Sequence, residues 1–270
     1  MSWLSVVVLG ASGLAAMRAA LEHGDLDEAA RRGALAGPVV VERALADGRR
    51  TTRLAAIAAA PIVEDRAELL EPLARVAGGP DRRTAIPAAA AARAIARELA
   101  RHDRPDDLAA DDLAIWRGAW AGLAMRTDRW IELRLLALDT AAALDPAGTG
   151  VELGAALHDP DPAFRRAAAT IVPLPAPPAS YVALAAAVVA DTDPEVALGA
   201  AQSLCMSVDD ARRPVLDALG APGLARIRAL VTSEHPPDAA AVHDASRCLA
   251  ADGSPESAAA LRRIHRPARR

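Results

Sequence analysis

A helix-start signal recurs along this chain at intervals of 32 or 33 residues, lengthened at two points. DPAFRRAA begins at Asp161, and DPEVALGA begins at Asp193, 32 residues later. In both, the Asp side chain is placed to accept a hydrogen bond from an unpaired N–H of the first helical turn. Pro then takes the first helical position, where a missing N–H costs nothing. Written as D-x-x-φ-R-x-x-A, where φ is apolar, the frame is met again 33 residues before Asp161, at Asp128, with Ile131, Glu132 and Leu135 in the last three marked positions. Weaker copies start at Arg49 (with Thr52, Arg53 and Ala56), at Asp81 (ending on Ala88) and at Asp238 (with Ala241, Val242 and Ala245). The successive intervals are 32, 47, 33, 32 and 45, and the two long ones predict insertions near residues 99–112 and 211–237.

Each start opens the second helix of a pair. The first helices are predicted at residues 39–46, 67–76, 112–125, 151–157, 181–190 and 214–231. One such pair cannot bury its apolar stripe alone, so neighbours must stack. Composition favours this outcome: 70 of the 270 residues are Ala and aromatics are only 2%. Small Ala faces let helix axes approach toward the short end of about 8–10 Å, whereas strands draw on aromatic and β-branched side chains that are scarce here. The expectation is an all-α fold, an α-α superhelix of stacked helical pairs over residues 25–261. A leader or first helix would precede it in residues 1–24, and a basic tail would follow in residues 262–270.

The pattern ALHDPDPAFRRAAATI, followed by VVADTDPEVALGAAQSL, resembles the HEAT-like repeats named after phycobilisome lyases, a subgroup of the HEAT and armadillo solenoids. The resemblance is closest over residues 157–204 and extends to 49–92 and 128–144, with Pro87 falling inside one second helix. It implies a solenoid of about six repeats that acts as a protein-interaction scaffold for a protein or peptide, with no cofactor, metal or catalytic residue. Lyase activity does not follow from it, because no lyase-specific residues can be matched. In such solenoids the second helices line the concave side, which nominates Arg53, Glu132 and Arg165 as a partner-binding ladder. The competing expectation for Arg53 and Arg165 is internal pairing with loop aspartates such as Asp81 and Asp193.

All 31 basic residues are Arg, there is no Lys, and 35 acidic residues leave a net charge of −4. Arg abundance here is compositional, and the acidic balance argues against nucleic acid as partner, since phosphate contacts dominate such affinity. The rival from another class is a helical-repeat nucleic-acid-binding or DNA-glycosylase-like repair enzyme, with Trp116, Trp120 and Trp130 as a stacking platform. The simpler expectation is that these tryptophans fill space beside the inserted segment.

Other chemistry is sparse. Cys205 and Cys248 lie 43 residues apart without a CxxC pattern and are expected as small core residues, paired only if the chain is exported. The six histidines (His23, His102, His158, His235, His243 and His265) form no ligand pair, and His243 and Cys248, five apart, do not share a helix face. Asp106, Asp107, Asp111 and Asp112 suit the positive end of a helix dipole better than a metal. PLPAPP at 173–178 reads as a stiff connector, and the Arg-rich end, including Arg266, Arg269 and Arg270, as a frayed helix terminus.

Residues 3–16 form an uncharged run, too short to span a bilayer once its glycines are counted. Three readings stay open: a signal peptide or weak anchor that lacks a basic front end, the first buried helix, or the strand and glycine turn of a dinucleotide site at Gly10 and Gly13. The last needs a continuing βαβ pattern, and Ala-rich helical sequence follows instead. A cytoplasmic location is expected, with export or anchoring through residues 3–16 as the alternative and no integral membrane span.

Overall fold

The computed structural model describes residues 3–101, 110–145, 148–172, 176–233 and 238–264. Among them the regular elements are fifteen α-helices and three short 3-10 turns, with no strand. The chain divides into two compact units, Met1–Asp145 and Pro146–Arg270.

The first unit holds α1 (Trp3–Glu22), α2 (Leu26–Ala36), α3 (Pro38–Leu45), α4 (Arg50–Ala59), α5 (Leu70–Ala77), α6 (Arg82–Arg101), α7 (Ala110–Ala124) and α8 (Ile131–Leu144). Each odd helix packs on the even helix that follows it. Odd helices also touch the next odd helix and even helices the next even one, so four hairpins lie side by side in two layers. In the second unit, α9 (Thr149–Ala156), α10 (Pro162–Thr170), α11 (Tyr181–Ala190), α12 (Pro194–Cys205), α13 (Val208–Val231), α14 (Ala239–Asp252) and α15 (Pro255–Ile264) repeat the arrangement, with α15 added after the third hairpin.

The repeat frame explains this packing. The fourth position is buried in every copy that starts at its expected residue: Thr52, Thr84, Phe164, Val196 and Ala241. The eighth is an Ala with no exposed surface at Ala56, Ala88, Ala168, Ala200 and Ala245. With no exposed surface, these positions leave no room for a side chain larger than a methyl group. Asp161, Asp193 and Asp238 cap α10, α12 and α14 by accepting from the N–H groups of Ala163, Glu195 and Ala240, as their positions require.

Four expectations need correction. The copy placed at Asp128 starts two residues later, because α8 begins at Ile131 with Trp130 as its N-cap. Its fourth, fifth and eighth positions are then Leu133, Arg134 and the fully buried Ala137, while Leu135 is half-buried. The dinucleotide-site reading fails because Gly10 and Gly13 lie within α1. A Cβ on Gly13 would come 2.7 Å from the Ala36 Cβ, so this glycine admits a neighbouring helix rather than a phosphate. Cys205 and Cys248 are fully buried as expected, and they are also bonded, joining α12 to α14 with Cα atoms 5.2 Å apart. The helix expected over 214–231 is part of a longer element broken at Ala211 and at Gly220, whose φ of +56° suits glycine.

Pro87 does not interrupt α6. In α1, Met17 and Ala20 are buried, and Arg18 pairs with Asp47. Among the described residues no helix is long and apolar enough to cross a membrane.

Candidate functional site

Arg53 and Arg165 occupy the fifth position of the repeat, one turn into a second helix. Arg53 donates to the carbonyls of Asp47 (2.7 Å) and Gly48 (3.1 Å) in the loop that precedes its helix. Arg165 does the same to Asp159 (2.8 Å) and Pro160 (3.4 Å). Arg134, at the fifth position in the corrected frame of α8, is buried and donates from Nε to the Ala124 carbonyl at 2.9 Å. Each guanidinium thus supplies donors to carbonyls at or beyond the end of a first helix, which have no intrahelical partner. The arginine closes its own hairpin.

The same side chains reach forward. Arg53 lies 3.9 Å from Asp81, which also accepts from Arg50 at 2.9 Å. Arg165 donates from Nε to Asp191 at 2.8 Å, and Arg166 pairs with Asp193 at 3.3 Å and Glu195 at 2.6 Å. Within each unit, arginines of one hairpin therefore hold aspartates that lead into the second helix of the next.

The charges respond accordingly. The hydrogen bond from Arg18 holds Asp47 below the usual carboxylate range, against its partial burial. For Asp81 and Asp191 desolvation is the largest influence and pulls upward. Arg50 with the Arg83 N–H, and Arg165 with the Asp193 N–H, nevertheless carry both below the usual range. Of the nominated ladder, Arg53 and Arg165 are thus engaged within the chain. Glu132 projects into solvent, 3.4 Å from Arg82.

A second cluster was not apparent from the repeat frame. Arg93, Arg97 and Arg101 succeed one another at one-turn spacing on α6. With Arg66 they line a groove of about 420 Å³ whose apolar wall includes Pro61, Ala90 and Ala94. Arg93 and Arg97 both reach the same oxygen of Asp139, each at 2.7 Å. Arg66 and Arg101 stand 3.8 and 3.4 Å from Glu98. Among the described residues, four guanidinium groups therefore share two carboxylates. The groove beside Arg53 balances Arg53 and Arg75 against Glu42 and Asp81, and the grooves beside Arg165 and Arg166 hold more carboxylate than arginine. The i, i+4, i+8 spacing of 93, 97 and 101 was in the sequence, but in a chain whose only cation is Arg it did not stand out.

Trp116 and Trp120 are buried in α7, and Arg82 lies over the partly exposed Trp130 ring at 5.9 Å. The His243–Asp244–Cys248 grouping is taken apart: Cys248 is in the disulfide, Asp244 accepts from Gln202 at 2.9 Å, and His243 is exposed. No group of three or more potential metal ligands forms among the described residues. Asp106, Asp107, His102, His235, His265, residues 173–175 of the Pro-rich connector and the tail arginines 266, 269 and 270 lie outside them.

Compared with known proteins, the chain matches no family model and finds no significant match among curated proteins.

Proposed function

We propose that both units are HEAT-like α-solenoid stacks and that the protein is a protein-interaction scaffold without chemistry of its own. The single observation that carries this is the alternation of contacts, in which odd helices meet odd and even meet even while each hairpin closes on itself. A stack of this kind presents its helices as an extended face rather than as one enclosed cavity, which suits an elongated protein or peptide partner. The two-tier use of Arg53 and Arg165 supports the same assignment, since residues that tie hairpins together are structural and leave recognition to other side chains. Burial of Trp116 and Trp120 removes two of the three rings that a base-stacking enzyme would need.

Affinity capture from the native cell, repeated with each purified candidate by co-elution on a sizing column, tests the proposal. The expected result is a protein that co-elutes with the purified chain. Recovery of nucleic acid instead, confirmed by binding of a purified duplex, contradicts it.

A further inference from the structure

We propose that the arginine groove of the first unit docks an acidic, extended segment of the partner protein, an inference that rests on the scaffold function and specifies its ligand chemistry. The groove is lined by α6 of the even layer and by Arg66 from the turn that leads into α5. Among the described residues its charge is unbalanced, since Asp139, buried to 9% exposure, offers one oxygen to both Arg93 and Arg97. The guanidinium groups keep donors in hand. Arg93 and Arg97 remain 38% and 41% exposed, and Arg101 is 69% exposed.

Spacing matches this ligand. Residues four apart on a helix are separated by about 6 Å along its axis, and side chains on one face of an extended peptide recur at about 6.6–6.8 Å. Carboxylates on alternate residues of a strand can therefore meet Arg93, Arg97 and Arg101 in turn, each guanidinium holding its carboxylate through paired N–H donors. Ala90, Ala94 and Pro61 give the peptide backbone a smooth, uncharged wall. A nucleic acid has comparable charge spacing, but its bases would find no aromatic surface in the groove lining.

The test is fluorescence anisotropy of the full-length chain with a labelled decaglutamate peptide, a neutral Gly-Ser peptide of equal length and a ten-nucleotide thymidylate strand. Two groove variants are compared. Among the described residues, Arg66→Gln with Arg101→Gln touches Glu98 and leaves the Asp139 pair intact. Arg93→Ala with Arg97→Ala and Asp139→Asn removes that pair as a unit, so that no unpaired carboxylate stays buried. A control, Arg31→Gln with Arg213→Gln, matches the charge change of the first variant with exposed arginines elsewhere. Melting curves establish that each variant is folded.

Decaglutamate should bind, and the neutral peptide should not. Each groove variant should weaken binding about tenfold or more while the control does not, and affinity should fall as salt rises. Absence of decaglutamate binding, or binding that the groove variants leave unchanged, overturns the proposal. Tighter binding of the thymidylate strand that the groove variants abolish overturns it in favour of nucleic acid. These failures are distinct from failure of the scaffold function. A captured partner that still binds the groove variants at full strength refutes the groove and leaves the scaffold standing.

Discussion

Arg134 holds, in α8, the place that Arg53 and Arg165 hold in α4 and α10, and the sequence contains the means to see it. WIELRLLA from Trp130 carries the frame's apolar residue, Arg and Ala in order and lacks only the leading Asp. A frame anchored on Asp settles on Asp128 instead and nominates Glu132, whose side chain points to solvent. The cap and the Arg both vary among the copies, whereas the fully buried Ala at the eighth position recurs in all six once α8 is framed from Trp130. Where the cap is present it should count: Asp161→Ala removes the acceptor for the Ala163 N–H and is expected to cost about 0.5–2 kcal/mol in a urea melt. A cost near zero would mean that Pro162 alone sets the start of α10.

The paired aspartates give the residue scale a pH signature. Asp47, Asp81 and Asp191 have folded-state values below the ordinary carboxylate range of about 3.9. The unfolded chain therefore binds more protons just below that range, so the stability these groups contribute is full above it and is lost as pH falls through the folded values. Urea midpoints should hold between pH 7 and about 5 and decline steeply below about 4. A flat profile down to pH 2.5 would show that the Arg–Asp pairs contribute nothing.

At the scale of elements, most first helices were legible to within about three residues, as with Tyr181–Ala190 and with Ala110–Ala124 against the expected 112–125, whereas the one expected over 214–231 proved to be part of a longer, broken element. Ala/Leu periodicity and Asp or Pro punctuation are local signals, and they survive folding when tertiary contacts reinforce them. The break at Gly220 and the link between α12 and α14 were less legible, because a conformational break and a contact 43 residues apart are decided by packing. Ala168 and Ala200 have no exposed surface, so replacing either with Leu should lower stability by about 1–3 kcal/mol through overpacking. Melting at the parental temperature for both would contradict the repeat register. Reduction offers an independent handle on the second unit. A crosslink that closes a loop of 43 residues should be worth roughly 4 kcal/mol in the chain-entropy account. The paired substitution Cys205→Ala with Cys248→Ala should shift the urea midpoint down and become insensitive to reductant, and equal midpoints for both proteins under oxidising conditions would contradict that role.

For the whole molecule, all-helical character followed from what the composition lacks, and the layering followed from the recurrence of the frame. The arginine groove did not follow, since a surplus of cation over carboxylate appears only when side chains from α6, α8 and the preceding turn are brought together. If the chain is the proposed scaffold, it binds a protein partner and leaves it chemically unchanged. Calorimetric titration of a captured partner, purified and mixed with the purified chain, tests that most directly when the partner's intact mass is recorded before and after. Saturable binding at a fixed stoichiometry with the mass unchanged is the expected result. A changed mass, or heat that continues in proportion to time rather than to added partner, would contradict it.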